Sequence, residues 1–291
     1  IDRILANPDV KARVDRYFAQ EKDYQAMIQA NGRLDGNVLA IVWERRSGTK
    51  AVEAGRAKER VPAGEIWSDA VYEIEKQPPS GGRVVWEWHT WDHLIQDHDE
   101  DRANFGDVAA HPELIDINGD PQDDLSPAAA AAAADAMKQV GYAAGSAKDA
   151  KGRPRDLQGA DWMHCNAVDY NAALDQIVIS SPHFNEIWVI DHSTTTEEAV
   201  GHVGGRSGKG GDLLYRWGNP GVYRAGRKAD QRLFGQHNIQ WIEPGLPGAG
   251  NFLVFNNGGG RPGAAYSSVE EFAAPIDAAG RYERSPDEPF G

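Results

Sequence analysis

Hydrophobic and polar positions follow two different periods along this chain. Over residues 9–30 the apolar residues Val10, Val14, Phe18, Met27 and Ile28 recur at roughly helical spacing, with no interior Pro or Gly. This predicts a helix that Asn31-Gly32 ends. A second helix is predicted over 126–139, where Ser126 suits the cap, Pro127 the first turn, and Gly141 lies just past the end. Its seven consecutive alanines favour helix but offer little to bury, so it reads as a surface insertion.

The remainder is strand and turn, and it repeats. Gly36-Asn37 leads into 38–43, Leu174-Asp175-Gln176 into 177–181, and Gly250-Asn251 into 252–256, each a turn followed by a short apolar strand. An outer strand follows each one, at 70–75, 186–191 and 268–272, and the first two units add a Trp-bearing strand at 84–88 and 213–217. Repeated units of three or four antiparallel strands are the mark of propeller blades. The expected fold is therefore all-β, a β-propeller segment with a helical N-terminus and a helical insertion. Residues 1–32 form the helical segment and 33–291 the blades. The blade-like units are 33–95, 161–220 and an incomplete 234–291, with 96–160 as an insertion. The three short inner strands at 38–43, 177–181 and 252–256 are expected nearest the axis. An ordinary β-sandwich is the alternative. Three units do not close a ring of four to eight blades, so the expectation is a segment of a longer protein, or a ring that another chain completes.

Composition narrows the function. The formal net charge of −14 argues against a nucleic-acid partner, because such affinity rests on Lys and Arg neutralising phosphates. It also argues against docking on anionic membranes. No apolar run approaches the roughly 20 residues that span a bilayer, so no membrane insertion is expected. The single Cys165 excludes an internal disulfide and a cysteine zinc cluster.

Two histidines occupy the same place in the repeat. His164 and His237 each enter a strand preceding the turn, in the contexts Asp161-Trp-Met-His-Cys-Asn166 and Phe234-Gly-Gln-His-Asn238. In a propeller, equivalent positions face one channel, so two imidazoles would converge there, as acid–base or nucleophilic chemistry requires. Histidines that merely stabilise the blade turns are the alternative. Strand alternation turns Cys165 away from the channel and into the core.

The chain resembles the bacterial arylsulfate sulfotransferases that use no nucleotide sulfate donor. The resemblance is carried by GNVLAIVWE (36–44), VVWEWHTWDHL (84–94), DWMHCNAVDYN (161–171), LDQIVISSPHFNEIWVIDHSTT (174–195), GDLLYRWGNP (211–220), FGQHNIQWIEPGLPGAGNFLVFNNG (234–258) and Tyr266-Ser-Ser-Val269. It implies a six-bladed propeller, periplasmic or exported. It also implies transfer of a sulfuryl group from aryl sulfates to phenols through a sulfated histidine, with no cofactor and no metal. His237 matches the nucleophile; His164 and Asn166 match a His-x-Asn motif that holds the sulfuryl oxygens and handles protons.

Two departures stand out. The family's sulfate-binding Arg is replaced by Pro182-His183, and no His occupies the first-repeat position near Tyr24 and Gln25. His183 could replace the cation only when protonated. Arg206 and Lys209, in a Gly-rich loop at 204–211 read as a flexible cover, are candidates to supply the missing charge, and His89 is a candidate at the channel mouth. His89 and His93 are four apart, a metal pair on a helix, but a strand running into a loop gives that spacing no meaning. Asp116–Asp124 alternates oxygen ligands like a calcium loop, yet Pro121 and Pro127 exclude an EF-hand. His111, His192 and His202 read as surface or loop residues. A binding or assembly propeller without catalysis is the rival function, and a hydrolytic sulfatase a third.

Overall fold

The computed structural model describes residues 36–61, 63–120, 160–263, 266–277 and 279–283. Both expected helices, 9–30 and 126–139, lie outside them. The described chain is mostly β. Its strands are β1 (Val38–Ser47), β2 (Glu65–Lys76), β3 (Gly82–His89), β4 (Leu94–Ile95), β5 (Ile115–Asp116), β6 (Ala167–Asn171), β7 (Gln176–Ser181), β8 (Glu186–Asp191), β9 (Tyr215–Trp217), β10 (His237–Trp241), β11 (Phe252–Asn256) and β12 (Ser268–Phe272). Helices are short: α1 (Gly48–Glu53) and α2 (Thr196–Ala199). Among the described residues no helix is long and apolar enough to cross a membrane.

Three antiparallel sheets carry the fold, ordered β1-β2-β3, β6-β7-β8-β9 and β10-β11-β12, and β4-β5 form a small parallel pair. The three repeated strands thus fall in three different sheets. The strands that the sequence places before the second and third turns, those His164 and His237 enter, are the edge strands β6 and β10, and β7 and β11 are second in order. Those two edges pack against each other. No closed ring forms among the described residues.

Turn chemistry sets the registers. Between β6 and β7 the Asn171 side-chain oxygen accepts from the N–H groups of Ala173 and Leu174 at 3.1 Å. Asp175 then takes a left-handed φ of 57° before β7 begins. Asn185 does the same between β7 and β8, at φ 56°.

The middle sheet explains the apolar runs. All six residues of β7 and all six of β8 are buried. Ile177, Ile179, Trp188 and Ile190 enter one core with Val71, Trp86 and Trp88 of the first sheet. Val178, Ile187 and Val189 point the other way, into a second core with Ile239, Trp241, Phe252 and Val254 of the third sheet. A strand covered on both faces takes apolar residues on both, so Ile177–Ile179 and Ile187–Ile190 run without alternation. The excursion after β3 is pinned to this sheet by Arg216. Its guanidinium pairs with buried Glu186 and donates to the carbonyls of Pro112 and Leu114 at 3.2 and 3.0 Å.

Candidate active site

The segment entering β6 is built on β2. The Trp67 N–H donates to the Ala160 carbonyl at 2.7 Å, and the Trp162 N–H donates back to Trp67 at 3.2 Å. Trp162 and Met163 are fully buried. Cys165 is buried too, and its N–H donates to Asp69 Oδ2 at 2.7 Å; burial holds its thiol well above the ordinary value, so it is no nucleophile. His164 sits between them at φ 54°, a left-handed conformation that costs a side-chain-bearing residue about 1–2 kcal/mol. Two contacts hold it there. Its Nδ1 lies 2.5 Å from Asp161 Oδ2, and its ring stacks on His183 at 5.1 Å and 20°. Trp43, half exposed, lies 6.3 Å away, ring to ring.

These neighbours charge the site unevenly. The hydrogen bond to Asp161 raises the His164 pKa, outweighing burial, so the imidazolium is favoured. His183 goes the other way. Its Nδ1 donates to the Asp161 carbonyl at 3.0 Å, and burial lowers its pKa. His183 is therefore neutral and does not replace the missing arginine, as the sequence allowed it to. Of the two rings, His164 is the one whose surroundings favour the charged form. Asp69, buried below, has its carboxyl pushed up to about 7, by burial first.

His237 opens β10 opposite Phe255, and the register slips between His237 and Gln240. This is a bulge, with Asn238 at φ 55°; such irregularities re-aim a side chain. The turn before it is fastened on three sides. The Phe234 N–H donates to Asn256 Oδ1 at 2.9 Å, the Gly235 N–H to Asn185 Oδ1 at 2.8 Å, and Gln236 Nε2 to the Glu186 carbonyl at 2.8 Å. His237 Nδ1 faces the Gly235 carbonyl at 3.1 Å. A carbonyl only accepts, so Nδ1 carries the proton and Nε2 keeps the lone pair in the neutral ring. Asn166 joins the two histidine segments: its Nδ2 donates to the Gln236 carbonyl at 3.0 Å, while its Oδ1 is buried without a hydrogen-bond partner.

A family model described as arylsulfotransferase (ASST) matches residues 33–274. The chain belongs to the arylsulfotransferase family. No curated protein and no solved structure matches it. The general chemistry of an arylsulfotransferase is aryl sulfotransfer, and the matched span holds His164, Asn166 and His237.

Other residues singled out in this arylsulfotransferase lie elsewhere. Arg206 reaches Asp175 Oδ2 at 3.4 Å, in the turn at the far end of β6. A five-residue strand, about 17 Å long, separates that turn from His164. Lys209 belongs to the same loop, so the structure does not bring this pair of cations to the histidines. Nor is the loop a flexible cover. Its Ser207 N–H donates to Asp191 Oδ2 at 2.8 Å and its Arg206 N–H to Ser193 Oγ at 2.7 Å, a cradle for a carboxylate of the chain itself. His89 pairs with Ala70 across β3 and β2, while Trp43 pairs with Asp69, so pleating puts His89 and Trp43 on opposite faces. His89 binds Glu44 at 3.2 Å, facing away from the histidine site.

His192 is not a surface residue. It bridges Asp175 at 2.9 Å and Glu73 at 3.1 Å, with Trp86 edge-on at 4.8 Å. The calcium-like stretch is also spoken for: Arg224 lies 3.0 Å from Asp116, and Arg56 lies 2.9 Å from Asp120, while 121–124 fall outside the described residues. Asp161, Asp69 and Gln236 are the site residues that sequence reasoning missed. Asp161 and Gln236 stood in the quoted motifs, three residues ahead of His164 and one ahead of His237; Asp69 left no signal.

Proposed function

We propose that the chain transfers a sulfuryl group from an aryl sulfate to a phenol in two displacements, through a sulfohistidine at Nε2 of His237. The observation that carries this reading is the fixed tautomer of His237, with Nδ1–H on the Gly235 carbonyl and the lone pair on Nε2. In the first displacement Nε2 forms a bond to sulfur as the bond from sulfur to the aryl oxygen breaks. The leaving phenolate takes a proton from the His164 imidazolium. The Gly235 carbonyl keeps Nδ1–H and steadies the positive charge that appears on the ring. In the second displacement the acceptor phenol returns a proton to His164, attacks sulfur, and releases His237. Before the first step the His164 cation holds sulfuryl oxygens, the task the family gives to an arginine at the place of Pro182. Trp43 offers an aromatic surface for the aryl group beside His164.

In this reading the three sheets are blades of a larger ring, roughly six-bladed, in a periplasmic or exported protein. Pro182 in place of the arginine favours one rival, a propeller that binds without catalysing. Mass spectrometry of protein quenched with 4-nitrophenyl sulfate present and acceptor absent separates them. One sulfuryl group mapped to His237 is the expected result. A wild type that gains no adduct and is inert to 4-nitrophenyl and 4-methylumbelliferyl sulfates would transfer the assignment to the rival.

A further inference from the structure

A second histidine cluster lies outside this site. His93, just past β3, is fully buried and stacks on Trp88 at 5.6 Å and 5°. His202 and Asp212 come from the excursion after β8. Asp212 Oδ1 lies 2.9 Å from His93 Nδ1 and 2.7 Å from His202 Nδ1. The loop carrying them is held in place. The Trp88 Nε1–H donates to the Gly211 carbonyl at 2.7 Å, and the Gly211 N–H to Gly201 at 3.0 Å. Glycine at 211 is required by this approach, since a Cβ there would lie 2.1 Å from the Ala199 carbonyl oxygen and 2.6 Å from His93 Nε2.

Hydrogen-bond logic makes the cluster unusual. His93 Nε2 faces the Ala199 carbonyl at 2.9 Å, so Nε2 carries a proton. In the neutral ring Nδ1 then presents a lone pair to a carboxylate oxygen. Two acceptors at that distance need something positive between them, either a second ring proton or a metal ion. A third donor atom, His202 Nδ1, converges on the same oxygen, and all three ligand atoms lie within 4.8 Å of one another. The Ala199 carbonyl is the kind of outer partner that orients a metal-binding histidine.

We propose that His93, His202 and Asp212 bind one divalent transition-metal ion of the zinc class. Bonds of about 2.0–2.1 Å in tetrahedral geometry put ligand atoms about 3.3 Å apart. The His202–Asp212 spacing of 2.7 Å needs to open by about half an ångström, which the exposed His202 ring permits, and the His93–Asp212 spacing of 2.9 Å by somewhat less, a shift that falls to Asp212 because His93 is fully buried. His202 also lines an open cleft of about 510 Å³ with Trp91, Asp92 and His111, which gives an ion a path from solvent and leaves room for water as fourth ligand. The bound ion cross-links the first sheet to the excursion of the second, joining residues 119 apart in sequence.

The test is calorimetric titration of zinc chloride into the chelator-stripped full chain, alongside thermal unfolding with and without the metal. One equivalent should bind, and the unfolding midpoint should rise by roughly 4–8 °C at hundredfold excess over Kd. Changes in outer partners typically cost 10–100-fold in affinity, so loss of a ligand in His202→Ala or Asp212→Asn should cost about 100-fold or more. His202 is largely exposed, so His202→Ala tests the site without unfolding the core. His111→Ala, in the same cleft, should bind as the wild type does. No saturable binding by 100 µM zinc (about 10⁻⁴ M, far weaker than a structural zinc site), wild-type affinity in His202→Ala, or equal loss in His111→Ala would each overturn the proposal.

Discussion

His164 and His237 enter corresponding edge strands of neighbouring sheets, β6 and β10, but they are held by different chemistry. His164 rests on a carboxylate, Asp161, which raises its pKa. His237 gives its Nδ1–H to the Gly235 carbonyl, which carries no net charge. A carboxylate partner favours the protonated ring; a carbonyl partner selects a tautomer without supplying charge. One repeat position thus places two imidazoles in different electrostatic settings, and the partner, not the histidine, decides which. In the proposed reaction the difference lets His164 take the place of the arginine that Pro182 displaced.

The comparison can be broken most severely at His237. His237→Ala should abolish transfer from 4-nitrophenyl sulfate to phenol, measured as nitrophenolate release; full turnover in that variant would end the covalent route. His164→Ala should slow transfer by about 10²- to 10⁴-fold, the range for a lost general acid, while His237 still acquires the sulfuryl group slowly. Rates of donor consumption and of adduct formation check both halves of that statement.

A subtler change removes only the partner. In Asp161→Asn the His164 pKa should fall back toward about 6.5. The protonated form is present below the folded pKa and is lost as pH rises through it. The alkaline limb of the rate profile should therefore move to lower pH, with transfer slower at pH 8 and little changed below pH 6. An alkaline limb that stays in place would mean that Asp161 does not set the charge. The smallest effect on turnover is expected from Asp69→Asn, whose signature is stability. With its carboxyl pushed up to about 7, the folded chain holds a proton that the unfolded chain releases above about pH 4. Wild-type stability should therefore fall between pH 4 and 7, and the variant, whose amide oxygen can still accept from Cys165, should lack that slope. Denaturant titrations at pH 4 and 8 should show a gain of about 2–4 kcal/mol for the variant at pH 8 alone.

The strands were legible because the turn residues that precede them, Gly36-Asn37, Asp175 and Gly250-Asn251, are strong local signals. A strand before each of the last two turns was legible too, but its packing was not. β6 reads Ala-Val-Asp-Tyr-Asn, too polar to announce that it lies beside β10. The pair of histidines was visible from repeat position alone. Their electrostatics were not, since Asp69 meets Cys165 from 96 residues away in another sheet. Arg206 and Lys209 were chosen by charge, and charge says nothing about which end of a strand a loop returns to. His192 lies in a loop, as read, but its burial was not legible because its partners, Glu73 and Asp175, come from two sheets.

The doubly covered middle sheet also sets the order in which the molecule opens. The amides of β7 and β8 are paired on both sides and buried on both faces. They can meet solvent deuterium only when the first and third sheets have let go, so their exchange reports the global opening. β12 is half exposed and ends its sheet, so its amides exchange through local fraying. His237 sits on β10 of that outer sheet and His164 just ahead of β6 of the middle one. Partial opening of the third sheet would therefore carry His237 away from His164 while the better-buried half of the molecule stays folded.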